Sequence, residues 1–103
     1  LVGEAIRIME FNISRNIKLE EIVSELKITR EKLNRIFKQE TGFTPKQYLI
    51  HLRMKNAECF LTHSRKTVKD IAFLTGYSSP QKFSKEFFKK HQMSPRNFRN
   101  VTK

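Results

Sequence analysis

Apolar residues recur along this chain at intervals of three and four, which places them on one side of an α-helix. No stretch alternates convincingly between apolar and polar positions, so strands are not expected. The pattern predicts an all-α fold with about seven helices. The first two are short and cover residues 4–13 and about residues 19–26.

Residues that cap helices set the bounds of the third and fourth helices. Thr29 is a favourable N-cap for a third helix that runs to about Thr41. The fourth helix begins at the Thr44-Pro45 pair, because a threonine caps well and a proline suits the first turn. Its apolar pattern continues over residues 45–63, which makes it the longest of the seven.

Three further start signals follow downstream. Residues 67–70, Thr-Val-Lys-Asp, have the form of a capping box, and this fifth helix is expected to end near Gly76. Ser-Pro pairs at residues 79–80 and 94–95 predict the starts of a sixth helix and of a short seventh helix. The chain therefore consists of helices joined by short turns.

The chain resembles itself at an offset of 50 residues. Residues 37–45 read FKQETGFTP and residues 87–95 read FFKKHQMSP, with the same nine-residue length from phenylalanine to proline. Upstream the offset is 49, because the turn LKIT is one residue shorter than the turn LTGYS. Each repeat has two helices joined by a turn, and the second helix has an apolar inner face. This is the helix-turn-helix pattern.

The second helix of each repeat has an outer face suited to the major groove of DNA. In the first repeat, a helical wheel places on this face Glu31, Lys32, Arg35, Lys38 and Gln39, with Asn34 at the border. In the second repeat it places there Gln81, Lys82, Lys85, Phe88 and Lys89, with Ser84 at the border. Arg and Lys side chains can bond guanine, Gln and Asn can bond adenine, and Glu can accept from cytosine.

Charge adds a candidate ligand to this architecture. The 103 residues hold 21 Lys and Arg against 10 Asp and Glu, a net charge of +11, and the pI is near 10.2. Residues 1–28 carry a net charge of −1, from four basic and five acidic side chains, so all of the excess lies downstream. A field of this sign attracts polyanions, although a block of like charge can also be a solvated face.

Other chemistry is sparse in the sequence. The single cysteine cannot form an internal disulfide, and the three histidines lack the spacing of metal ligands. No nucleophile-base pair or glycine-rich phosphate loop is present, so we expect neither an enzyme nor a cofactor or metal site. No apolar run is long enough to cross a bilayer, and we expect a cytoplasmic protein without membrane contact.

Three stretches together resemble the DNA-binding domain of AraC/XylS-type bacterial transcription regulators. They are LEEIVSELKITREKLNRIFKQETGFTPKQYL, the linker residues Arg53, Ala57 and Leu61, and VKDIAFLTGYSSPQKFSKEFFKKHQMSPRNFR. The resemblance covers nearly the whole chain, and the order and spacing of its parts make it specific. It implies two helix-turn-helix subdomains, joined by the long fourth helix, that read two adjacent major-groove segments on one face of double-stranded DNA.

The resemblance also implies a division of the chain. Residues 1–43 would form the first helix-turn-helix subdomain, residues 44–63 the linker helix and residues 64–103 the second subdomain. The family usually carries a sensory or dimerisation domain on another part of the polypeptide, so we expect this chain to be a fragment of a longer regulator. RNA polymerase is an expected partner of that regulator.

Carrying over the family's base-reading positions one by one gives residues in the first recognition helix, 30–41, and in the second, 80–91. They are Glu31, Asn34 and Arg35, followed by Gln81, Ser84 and Lys85. Pro80 also falls on such a position but ranks below them, because it has no side-chain donor or acceptor. The residues expected to contact the DNA backbone are Thr29, Lys32, Lys38, Ser79, Lys82, Lys89 and Arg96.

Two positions depart from the family pattern. Gln92 stands where the family usually has the glycine matched in the first repeat by Gly42, so the sixth helix is expected to end in a strained or different cap. Phe88 stands where a basic residue is common. It either contacts a thymine methyl group or packs beneath the linker helix.

Two questions stay open at this stage. Glu31 bonds either a base or one of its neighbours Lys32 and Arg35. The chain is either a sequence-specific DNA binder or a basic helical protein-interaction module that docks on an acidic partner, and the internal repeat favours DNA because DNA is a periodic ligand. A linker of 19 residues is about 28 Å long. This is shorter than the ~34 Å between major-groove turns on one face of straight DNA, which favours bent DNA.

Overall fold

The computed structural model describes residues 1–102, and within them the chain forms seven α-helices and no strand. The helices are α1 Val2–Phe11, α2 Leu19–Leu26, α3 Arg30–Thr41, α4 Pro45–His63, α5 Val68–Leu74, α6 Pro80–His91 and α7 Pro95–Val101. The predicted all-α fold is confirmed, as is the long linker helix α4. Lys103, the last residue of the predicted second subdomain, lies outside the described residues.

Helix α1 ends two residues earlier than predicted, whereas α5 ends near Gly76 as predicted. Helix α1 ends at Phe11 because the side chain of Asn12 turns back and donates to the Ile8 carbonyl oxygen at 2.8 Å. Helix α1 also begins two residues earlier than predicted, at Val2, so the whole helix is displaced toward the N-terminus. Helix α5 ends at Leu74, and Gly76, with φ +92°, already belongs to the turn.

Two hydrophobic cores lie along the molecule, and helix α4 contributes to both. The first core encloses Leu33 and Phe37 of α3 between α1, α2 and the N-terminal half of α4. The second encloses Phe83 and Phe87 of α6, with residues of α5 and the C-terminal half of α4. The molecule measures 42 × 23 × 21 Å, an elongated shape that follows from two cores placed side by side on one linker helix.

Five helices begin with a hydroxyl N-cap. Each hydroxyl oxygen accepts from the backbone N–H three residues later, over 3.1–3.2 Å, at Thr29, Thr44, Thr67, Ser79 and Ser94. At Thr44 the Gln47 side chain also accepts from the Thr44 N–H at 3.0 Å, which completes a capping box. The capping box predicted at residues 67–70 is only half formed within the described chain, because the shorter Asp70 side chain makes no return bond to Thr67.

Four residues of the described chain have positive φ, and they are paired between the repeats. Lys27 at +56° and Gly76 at +92° lie in the turns of the two helix-turn-helix units, and they match at the offset of 49. Gly42 at +81° and Gln92 at +55° end the two recognition helices, and they match at the offset of 50. The strained cap predicted at Gln92 is confirmed. The left-handed Lys27 was not expected from the sequence.

A joint formed by Gly76, Tyr77 and Arg53 packs the second unit against the loop at residues 13–15. A Cβ atom on Gly76 would lie 2.5 Å from the Ile13 carbonyl oxygen, so only glycine permits this approach. Arg53 of α4 is buried, and its guanidinium carbon lies 5.5 Å from the centre of the Tyr77 ring, a cation–π contact. The joint therefore ties the two cores together beside the linker helix.

Burial shifts the pKa values of both titratable side chains in the joint. It lowers the pKa of the Arg53 guanidinium below its ordinary value. Burial is also the main reason why the pKa of Tyr77 rises to about 12, with nearby Glu86 acting in the same direction. The raised pKa extends the pH range over which the Tyr77 hydroxyl is neutral, so the cation–π contact does not become a charge pair.

Candidate nucleic-acid interface

The two recognition helices, α3 and α6, are held against their cores in the same way. Leu33 and Phe37 of α3 are fully buried, as are Phe83 and Phe87 of α6, at the offset of 50. An edge-to-face aromatic contact repeats as well: Phe37 meets Tyr48 with ring centres 5.3 Å apart, and Phe87 meets Phe98 at 5.2 Å. The predicted duplication thus extends to side-chain packing.

The outer face of α3 carries the residues predicted from the helical wheel. Glu31, Lys32 and Arg35 are exposed, and Asn34 is half-buried at the border. Across residues 1–102, neither Lys32 nor Arg35 forms an ion pair with Glu31. The structure therefore holds the Glu31 carboxylate free of these neighbours, which leaves it available to an external donor.

The outer face of α6 repeats this arrangement with one change of character. Gln81 and Lys85 are exposed and Ser84 is half-buried, matching the positions of Glu31, Arg35 and Asn34. Pro80 occupies the first helical position and is half-buried. Phe88 takes the position of Lys38 in α3, and 57% of its surface is exposed. Packing of Phe88 beneath the linker helix was one of two predictions, and it is wrong.

Ion pairs are few among the described residues, and none of them involves a cation of the two outer faces. Elsewhere, cations meet carboxylates in pairs such as Arg15–Glu21 at 3.0 Å, Arg30–Glu20 at 3.1 Å and Lys90–Glu58 at 3.4 Å. The cations of the two outer faces form no ion pair anywhere in the described chain: Lys32, Arg35, Lys38, Lys82, Lys85 and Lys89. These six cations are therefore available to an external anion.

The remaining residues predicted to contact the DNA backbone lie around these faces. The Thr29 and Ser79 hydroxyl oxygens cap α3 and α6 by accepting hydrogen bonds, which leaves each O–H free to donate. Arg96 lies on α7 and is exposed. Its neighbour Arg99 is used structurally, because its guanidinium donates to the Leu61 carbonyl oxygen at 3.1 Å and so caps the C-terminal end of α4.

A contact that the sequence analysis missed fixes the end of α6. His91 Nε2 lies 2.9 Å from a Glu58 carboxylate oxygen on α4. The imidazole also packs against Phe87 and Phe98, with ring centres 4.3 and 4.9 Å away. Glu58 and His91 are 33 residues apart, so no local spacing could have indicated their contact. It sets the orientation of the second recognition helix relative to the linker.

Among residues 1–102, no three His, Cys, Asp or Glu side chains are grouped so that they could hold a metal ion. In the same range, no helix is both long enough and apolar enough to span a bilayer.

Comparison with known proteins identifies the family. The model of the helix-turn-helix domain family matches residues 22–100. The lactose operon transcription activator of Staphylococcus xylosus is 32% identical over 99 residues, which cover 96% of this chain and 36% of that protein. The chain spans about a third of the length of such relatives.

Solved structures agree with the fold. A transcriptional regulator from Chromobacterium violaceum, described as containing an AraC-type DNA-binding domain, is 30% identical with a TM-score of 0.85, and the match covers 98% of this chain and 90% of that one. The DNA-binding domain of AdpA, solved with a target DNA, shares the fold with a TM-score of 0.90 at 24% identity, over 97% and 90% of the two chains.

These matches, together with the duplicated units and their unpaired basic faces, define the class of protein. It is a DNA-binding helix-turn-helix domain. The chain belongs to the AraC-type helix-turn-helix family. The relatives matched within this family are transcription activators and regulators.

Proposed function

We propose that this chain is the DNA-reading part of a bacterial transcription regulator and that it inserts α3 and α6 into adjacent major-groove segments on one face of the duplex. The observation that carries this proposal is the pair of matched outer faces, equal in burial and cap geometry and rich in unpaired cations. A ligand that meets two such faces at once must itself repeat, as DNA does.

Within this proposal the outer residues divide into two groups. Residues that read base edges are Glu31, Asn34 and Arg35 on α3, and Gln81, Ser84 and Lys85 on α6. Residues that hold phosphates and set the register are Thr29, Lys32, Lys38, Ser79, Lys82, Lys89 and Arg96. The first group determines which sequence is bound, while the second contributes affinity that is independent of sequence and falls with salt.

The wider context is also part of the proposal. Residues 1–43 and 64–103 act as two reading subdomains, and residues 44–63 fix their spacing. A sensory or dimerisation domain belongs to the longer protein, which acts in the cytoplasm and contacts RNA polymerase. The domain itself performs no catalysis and needs no membrane contact. The relatives' greater length supports this arrangement, since the chain matches only about a third of them.

Selection from a random-duplex library at physiological salt, followed by footprinting of the selected sites, tests the function. We expect two short motifs about one helical turn apart on the same DNA face. Arg35→Ala should relax sequence preference in one motif and Lys85→Ala in the other, each weakening binding by roughly 1–3 kcal/mol. The proposal that α3 and α6 each read one motif would be contradicted by recovery of a single motif. Two motifs that both variants relax equally would also contradict it.

The salt dependence of DNA binding distinguishes the contribution of phosphate contacts from that of base reading. Lys82→Ala should weaken binding to all duplexes alike and reduce the slope of log Kd against log salt by about one. Arg7→Ala is the matched control, because Arg7 is exposed on α1, outside both units, and its loss removes the same charge. If binding were steeply salt-dependent but never sequence-specific, a module that docks on an acidic protein would be the better description.

A further inference from the structure

Phe88 breaks the equivalence of the two recognition helices. The matching residue of α3 is Lys38, and both side chains are exposed on the outer face. An aromatic ring with 57% of its surface exposed, among lysines, adds nothing to the core. Single exposed apolar side chains are common on protein surfaces, and Phe11 is more exposed than Phe88, so the place of Phe88 on this face points to a role and its exposure alone does not.

Phe88 has no aromatic partner among the described residues. Phe43, the other exposed phenylalanine near a recognition helix, stacks on His51 with ring centres 5.9 Å apart and also meets Tyr48. None of the aromatic pairs in residues 1–102 includes Phe88. The ring instead borders an open groove of about 530 Å³ that is lined on the other sides by Tyr77, Lys82, Lys85, Glu86 and Lys89.

The position of Phe88 along α6 is that of a residue that reads a base. Gln81, Ser84, Lys85 and Phe88 have the spacing i, i+3, i+4 and i+7 on one side of the helix. Recognition helices of homeodomains contact base edges with four residues of this same spacing. From Gln81 to Phe88 the helix rises by roughly 10 Å, which is about three base-pair steps along the groove.

Only one feature of the major groove suits a phenylalanine. Of the groups that base pairs present there, the C5 methyl of thymine is apolar, and side chains such as phenylalanine contact it. We propose that Phe88 packs on a thymine methyl group and so makes thymine the preferred base at one position of the site bound by α6. This rests on the proposed function, and it gives the second half of the site a preference that Lys38 cannot impose on the first half.

Replacing thymine by deoxyuridine tests the contact, because the exchange removes the methyl group and keeps every hydrogen-bonding group. In a selected duplex, each thymine is replaced singly, and Kd is measured by fluorescence anisotropy at fixed salt. We expect one thymine, in the half relaxed by Lys85→Ala, at which the exchange raises Kd about fourfold, as loss of one buried methyl group predicts. Phe88→Ala should raise Kd for the unmodified duplex and abolish the penalty at that thymine alone.

Two controls make the outcome specific. Lys38→Ala removes the matching residue of α3 and should leave the uracil penalty unchanged. Phe88→Lys restores the basic residue common in the family, and it should bind without distinguishing thymine from uracil. The variants are at exposed positions, and thermal unfolding would verify that each is folded.

The results separate this inference from the function on which it rests. The thymine contact would be overturned if two motifs were selected but uracil caused no penalty in the α6 half. It would also be overturned if the penalty persisted in Phe88→Ala. Either result would leave DNA reading intact. Failure to select any motif would overturn both.

Discussion

At the scale of single residues, the two units place their glycines at opposite ends. The first unit has Lys27 in its turn and Gly42 at the end of its recognition helix, whereas the second has Gly76 in its turn and Gln92 at the helix end. All four residues have positive φ, a region that costs a residue with a side chain roughly 1–2 kcal/mol. The structure explains glycine at one of these places in particular, since only Gly76 is closely packed.

Substitution of the two glycines by alanine should have unequal effects. Gly76→Ala is expected to lower the free energy of unfolding by about 2–4 kcal/mol, because it combines left-handed strain with a Cβ contact of 2.5 Å to the Ile13 carbonyl oxygen. Gly42→Ala meets open space and should lose about 1–2 kcal/mol from strain alone. Urea unfolding of both variants measures the difference. Equal losses would mean that the loop at residues 13–15 moves away from the added Cβ without lowering the free energy of unfolding.

The end of α6 offers a stabilising change. Gln92→Gly relieves left-handed strain at φ +55° and loses part of that gain to chain entropy, so we expect it to raise the free energy of unfolding by about 0.5–1 kcal/mol. Gln92→Ala is the control, because it shortens the side chain but keeps the strained Cβ. A gain from alanine as large as that from glycine would show that the side chain, and not the backbone, is responsible.

At the scale of helices, N-caps contribute to stability everywhere but to DNA binding only at the recognition helices. Thr29→Ala and Thr67→Ala should each cost about 1 kcal/mol of stability, since each removes one hydroxyl cap of 3.1 Å. Only Thr29→Ala should also weaken DNA binding, by about tenfold, because in the proposed complex its hydroxyl donates to a phosphate. Titration of both variants at a temperature where each is folded measures this.

The matched substitution Thr29→Ser completes that experiment. Serine keeps the hydroxyl and the cap, so it should retain both stability and affinity. Equal loss of affinity in Thr29→Ala and Thr67→Ala would assign the effect to the fold and remove Thr29 from the interface.

Local signals explain how much of these helices could be predicted from the sequence. Caps and hydrophobic spacing act within a few residues, so they gave the bounds of α3, α4 and α6 correctly. They also gave the outer faces, because burial of Phe83 and Phe87 determines which side of α6 points away. The contacts of Glu58 with His91 and of Arg53 with Tyr77 join distant positions, and no pattern within one helix encodes them.

At the scale of the whole molecule, we expect the joint to limit the DNA shapes that the domain can accept. Helix α4 has 19 residues and is about 28 Å long. The contact of Gly76 with the loop at residues 13–15 holds the second unit beside the first, and the buried Arg53 reinforces it. We therefore expect the joint and α4 to keep the two recognition helices at a fixed separation, shorter than the ~34 Å period of straight DNA, when the domain binds.

Bound DNA should consequently bend toward the domain. Bending costs a few kcal/mol and depends on the stiffness of the sequence between the two motifs, which neither helix touches. We expect a flexible TA or CA step there to tighten binding relative to a stiff A-tract by several-fold, with both motifs unchanged. Circularly permuted DNA fragments carrying the site should also migrate differently in a gel according to the position of the site. Equal affinity for the two spacers, together with position-independent migration, would mean that the joint adjusts to straight DNA.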